Sequence, residues 1–133
     1  MTVKPVDRDY TAAVKAIEAE KFTTAIPLLE AVIARDGSNA DAYNWLAYAT
    51  RKSGDPTRAI PIYQKALAID PKHRGAHEYI GEAYLMLGDL GKAKEHLAAL
   101  NGLCFFPCSQ YSDLKKAVEA YERGSGLARP VTR

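Results

Sequence analysis

The chain has two cysteines, Cys104 and Cys108, four residues apart in the apolar run Leu103-Cys-Phe-Phe-Pro-Cys. Several chemistries suit such a pair. Two buried thiols would pack as small hydrophobes. A disulfide would close the Phe-Phe-Pro loop; an even count with no other cysteine to mispair fits an oxidising compartment. Two thiolates could also grip a soft ion such as Cu(I), with His96 as a third donor. Catalytic thiol exchange fits worst, because the spacing is C-x3-C rather than C-x2-C and no βαβ pattern surrounds it. The histidines offer less. His73 and His77 are four apart, but His73 falls in a turn. His77-Glu78-Tyr79-Ile80-Gly81 opens like a zinc-protease motif and lacks the second histidine. Surface or interhelix packing is the ordinary role for histidines so placed. No Gly-rich phosphate loop is present and no Ser/His/Asp triad stands out, so no motif speaks for an enzyme, a resident metal or a cofactor.

Composition narrows the classes. A chain of 133 residues, 47% apolar and 26% charged, is globular material for one domain. A net charge of +2 with no basic block gives no ground for nucleic acid. No apolar run approaches the ~20 residues that span a bilayer, so membrane insertion is not expected. Residues Met1–Arg8 are short and polar, unlike a signal peptide, which a mature protein would have lost. The Gly/Pro-rich stretch 124–133 reads as a flexible tail.

The elements that must position these residues are all helical. Tyr10, Ala13, Val14 and Ile17 fall at i, i+3, i+4 and i+7, predicting a first helix over about Asp7–Glu20. A second is expected over Thr24–Arg35, stopping at Asp36-Gly37 with Gly37 in a left-handed cap. Asn39 or Asp41 should cap a third, ending near Ser53-Gly54, and a fourth should cover Thr57–Ile69 before Pro71. A fifth is expected over Gly75–Leu87 and a sixth from Gly91 to Leu100, halted at Asn101-Gly102. A last helix over Ser109–Arg123 puts Tyr111, Leu114, Val118 and Tyr121 on one side and mostly Lys115, Lys116, Glu119 and Glu122 on the other. It should cover the sixth helix, with Phe105 and Phe106 plugging the gap beyond that helix's short end.

These helices repeat. Ala40–His73 is 34 residues long, and blocks 6–39 and 74–107 follow the same pattern without a gap. Tyr43, Leu46, Ala47, Ala59, Tyr63, Ala66 and Pro71 have counterparts in Asp9, Ala12, Ala13, Ala25, Leu29, Val32 and Gly37. The third block supplies His77, Ile80, Gly81, Ala93 and Leu97, then departs. Pro27 and Pro61 share one phase. A two-helix unit of this period, with small residues at positions 8 and 20 and large ones at 4, 7 and 24, resembles the tetratricopeptide repeat (TPR). The resemblance implies an all-α, right-handed TPR α-solenoid: three helix-turn-helix repeats plus a C-terminal capping helix at about 109–123, one domain over residues 1–123. The end of the chain, with Cys104, Phe105, Cys108, Tyr111, Asp113, Leu114 and Lys115, is similar to that of small bacterial TPR proteins that look exported to the periplasm. Ser109-Gln110 depart from that pattern. This likeness favours the disulfide and a periplasmic home, with the cytoplasm as the alternative.

In TPR proteins the first helices line a concave groove. Carried over by position, the groove comprises Tyr10, Val14, Asn44, Tyr48, Arg51, Lys52, Glu78, Glu82, Leu85 and Met86. Tyr10 and Val14 stand where the family's chaperone adaptors place the Lys and Asn that grip a terminal carboxylate, so that clamp is absent. The expected function is a non-enzymatic scaffold holding a protein or peptide partner, as a monomer or weak homo-oligomer. The alternative is a periplasmic copper or thiol-redox accessory protein acting through Cys104 and Cys108.

Overall fold

The computed structural model describes residues 7–126, and among these every regular element is a helix: α1 (Arg8–Glu18), α2 (Phe22–Arg35), α3 (Ala40–Lys52), α4 (Pro56–Ile69), α5 (Arg74–Met86), α6 (Leu90–Leu103) and α7 (Ser109–Gly126). Residues 127–133 of the expected tail lie outside the described residues, while 124–126 belong to the end of α7.

Helix starts are set by side-chain caps. Asn39 accepts the Ala42 N–H at 3.0 Å, Asp55 that of Arg58 at 3.0 Å and Asp89 that of Lys92 at 3.0 Å. Asp7 receives Asp9 and Tyr10, and the Nδ1 of His73 receives Ala76, so His73 is spent as a cap. Each accepts a hydrogen bond from an N–H that has no partner within the helix. The inter-helix turns share one device. Glu20, Gly54 and Gly88 occupy the same repeat position, and all three have left-handed backbone (φ 60, 107 and 80). In each, this residue's N–H bonds the carbonyl three back and the next residue's N–H bonds the carbonyl five back, the Schellman arrangement. Glycine takes this conformation freely, whereas Glu20 strains to do so. The first repeat is also poorer at the next position, where Lys21 makes no side-chain cap. Replacing Glu20-Lys21 by Gly-Asp should therefore stabilise the protein by about 1–2 kcal/mol. A denaturant midpoint at or below that of the parent would contradict this.

Two expectations about helix ends fail. Gly37 is not left-handed; α2 ends at Asp36, whose extended backbone (φ −144) turns the chain without that conformation. Asn101-Gly102 does not stop α6, which continues to Leu103 and is capped at Cys104, its N–H on the Leu100 carbonyl. Burial of Leu100 holds this last turn in place and overrides the weak helix preference of Asn and Gly. The proline-bearing helices α2 and α4 run on through Pro27 and Pro61, both solvent-exposed.

Contacts divide the chain into two compact units, the boundary falling between Pro71 and Lys72. In the first unit α1 packs on α2, α2 on α3 and α3 on α4. Its core joins Ala13, Ala16, Ile17, Ala25, Leu29, Val32, Ala42, Leu46 and Ala49. The small residues at repeat positions 8 and 20 (Ala13, Ala25, Ala47, Ala59, Ala93) are all fully buried, as close helix approach requires. Arg35 bridges Asp7 at 2.8 Å and Asp9 at 2.9 Å, tying the start of α1 to the end of α2 and holding the Asp7 carboxyl below its ordinary range. In the second unit α5 pairs with α6, and α7 lies against both. Leu114 and Val118 of α7 are buried with Leu85, Ala93 and Leu100, while Lys115, Lys116, Glu119 and Glu122 face solvent. Glu122 meets Lys94 of α6 at 2.8 Å.

Candidate functional site

The first unit carries an aromatic cluster centred on Tyr48 of α3. The Trp45 ring stands edge-on to Tyr48 with centroids 5.7 Å apart, and Phe22 from the start of α2 does so at 6.0 Å. Burial and the nearby Asp41 push the pKa of the Tyr10 phenol upward. Two cations converge on the Tyr48 ring, the Arg51 guanidinium at 5.3 Å and the Lys52 ammonium at 5.8 Å from its centroid. Asn44, Tyr48 and Arg51 follow i, i+4, i+7 and so share one face of α3. Asn44 is 4% exposed, and its Oδ1 accepts no hydrogen bond from the protein. Burying a carbonyl in that state is costly.

The expected groove residues thus differ in availability. Lys52 and Met86 are exposed; Tyr10, Val14, Tyr48 and Glu82 are half-buried; Asn44, Arg51, Glu78 and Leu85 are buried. Leu85 is packed against the α7 residues of the second unit's core. Phe22 and Trp45 were not anticipated as members of the cluster. Trp45, the single tryptophan of the chain and a neighbour of Asn44, was the available signal. Nothing in periodicity marked Phe22, which lies at a helix boundary. Elsewhere in the first unit, Ile26, Leu46, Thr50, Arg58 and Ile62 help line a shallow depression of about 190 Å³, which none of the cluster residues borders.

In the second unit Cys104 and Cys108 are joined, with Sγ atoms 2.05 Å apart, and the bond staples the end of α6 to the start of α7. Arg74 of α5 donates to the Leu103 carbonyl beside it at 3.3 Å. The loop does not plug a gap. Phe105 is 93% exposed and Phe106 74%, stacked edge-on upon each other at 4.9 Å. With α6 running to Leu103 there is no gap to fill, and a five-residue disulfide ring is too short to fold its side chains back.

The histidines pair differently from their spacing. His77 of α5 meets His96 of α6, Nδ1 to Nδ1 at 3.0 Å, and the His96 ring stacks on Tyr84 at 5.8 Å. Burial, then the His77 ring and the Lys92 ammonium, push the His96 pKa down to about 4. The unfolded chain therefore takes up a proton near pH 6.5 that the folded protein refuses until about pH 4. Stability should fall as pH drops through that window and level off below it. The ring is partly exposed, so the loss is discounted to about 1–2 kcal/mol. Denaturant midpoints at pH 7 and pH 4.5 test this: the difference should shrink in His96→Gln, and an equal difference would assign the loss to other groups. Among the described residues no group of three or more His, Cys, Asp or Glu is arranged to hold a metal ion. No described helix is long and apolar enough to cross a membrane.

Comparisons with known proteins agree with this architecture. The family description "Tetratricopeptide repeat" matches residues 10–74 and, in a second form, residues 50–103. Tetratricopeptide repeat protein 1 of Schizosaccharomyces pombe is 34% identical over 92 residues, which are 65% of this chain and 9% of that protein. The chain thus spans a small fraction of that relative's length. The type III secretion translocator chaperone SycD of Yersinia enterocolitica superposes with a TM-score of 0.80 at 19% identity, covering 90% of this chain and 85% of SycD. SycD in complex with a peptide of the translocator YopD gives a TM-score of 0.75. MamA of Desulfovibrio magneticus RS-1 gives 0.69 at 27% identity, covering 71% of this chain and 54% of MamA. The fold class is the all-α TPR solenoid type, with three helix-turn-helix repeats and a closing C-terminal helix. With the 34-residue period, the buried small residues at positions 8 and 20 and two overlapping family matches, the chain belongs to the tetratricopeptide repeat proteins.

Proposed function

We propose that this protein is a non-enzymatic scaffold that holds a segment of a partner protein against the Tyr48 face of its first unit. The observation that carries this reading is the half-buried Tyr48 ring with Arg51 and Lys52 upon it, on the same helix face as the unsatisfied Asn44 carbonyl. Aromatic and arginine side chains are favoured interface anchors. Lys52, exposed beside the ring, would favour an acidic segment. The corresponding positions of α5, Glu82 and Met86 above all, are assigned to partner contact as well. SycD, of like fold, takes a peptide of YopD, which supports peptide capture as a use of this architecture. The three repeats are taken to act as one domain, and the disulfide favours an oxidising compartment, the periplasm in a bacterium.

Peptides selected from a displayed library against the protein provide the test. Tyr48→Ala with Lys52→Ala should weaken their binding by about tenfold or more while helicity by circular dichroism is unchanged. Unchanged affinity would remove the Tyr48 face from the site. The second reading, copper or thiol-redox work through Cys104 and Cys108, is less favoured, because the joined sulfurs offer no thiolate.

A further inference from the structure

We propose that His77 and His96 form a binding site for one divalent transition-metal ion, Cu(II) the tightest, bridging α5 and α6 of the third repeat. The contact between their Nδ1 atoms is 3.0 Å, and with both rings neutral it holds a single shared proton. Two imidazole nitrogens on one ion, at bonds of about 2.0–2.1 Å and angles from a right angle to tetrahedral, lie about 2.9–3.4 Å apart. The pair therefore stands at ligand spacing before any ion arrives, and rotation of the rings must turn both lone pairs onto a common point.

Three further features favour the ion. The rings come from two helices that already pack together, so binding does not require the backbone to be organised first. His77 is buried and His96 is held by its stack on Tyr84, so little side-chain freedom is lost. His96 is also half-exposed, which gives the ion access and leaves room for water ligands. With only two protein donors, the remaining positions belong to water. Among divalent first-row ions, Cu(II) binds nitrogen donors most strongly and accepts a tetragonal shell of mixed nitrogen and water. On binding, the ring that carries the shared proton loses it from Nδ1 and takes one up at Nε2 from water, so both rings stay neutral, and two nitrogen–metal bonds form as two water ligands leave the ion. No redox step is involved.

The test uses the whole 133-residue chain in its oxidised form, so that Cys104 and Cys108 stay joined. Cu(II) titrated at pH 7.5 against a weak amino-acid competitor should saturate at one equivalent. His96→Gln and His77→Gln should each weaken binding by about tenfold or more, whereas His73→Gln, at the cap of α5, should leave it unchanged. In the unaltered protein, electron paramagnetic resonance should show superhyperfine coupling to two imidazole nitrogens. This readout is independent of how well the variants fold. Coupling to one imidazole or none, or affinity unchanged in His96→Gln, would overturn the proposal.

Discussion

Leu114→Ala should lower the unfolding free energy by about 2–5 kcal/mol, the usual cost of emptying a fully buried leucine site. The reason is local to one contact. A Cβ added to Gly81 of α5 would lie 2.7 and 2.8 Å from the two Leu114 methyl carbons. The α7 helix is thus seated on α5 where Gly81 presents no side chain. Gly81→Ala should for the same reason cost about 1–3 kcal/mol by overpacking, even though alanine is the better helix former. The double variant tests the pairing. Once Leu114 is truncated the new methyl group has space, so the combined loss should be smaller than the sum of the single losses. Urea unfolding of the four proteins gives the coupling. Additive losses would mean that α7 is not seated by this pair.

Removing the disulfide comes next in size. Reduction, or Cys104→Ser with Cys108→Ser, releases a five-residue ring and should cost about 2 kcal/mol through the freedom regained by the unfolded chain. Phe105→Ser within the intact ring should change stability by less than about 0.5 kcal/mol, as for an ordinary surface position. A plugging phenylalanine would cost about 3–5 kcal/mol on truncation, so the two accounts of the loop are separated by a single denaturation curve. Intact mass after alkylation without reductant completes the test. The native protein should take no label, and two labels would refute the bond.

The fold was legible in the sequence because the residues that specify it act over short distances. The cap at Asn39 and the glycine turns at 54 and 88 depend on neighbours within about one helical turn, and the 34-residue period is the recurrence of such local patterns. The polar and apolar sides of α7 were read from spacing alone and are found as expected, with Leu114 and Val118 inside. What failed locally was a competition between weak signals. Asn101-Gly102 reads as a stop, yet burial of Leu100 carries α6 past it. Glu20 carries no mark of left-handed backbone, yet the turn geometry of the repeat imposes it.

The site was legible only in part. Family positions pointed to Tyr48, Arg51 and Lys52, and all three meet around one ring. The same positions included Leu85, which the seventh helix covers. By itself the sequence determined the helices and their repeat, since periodicity and capping are properties of adjacent residues, while the candidate face of α3 was expected from the family's positions. Only the tertiary structure decided that His77 meets His96 rather than His73, that Gly81 receives Leu114, and that Phe105 and Phe106 point outward. Those outcomes depend on the packing of helices distant along the chain and on a covalent ring, where angstrom differences choose which side chains touch.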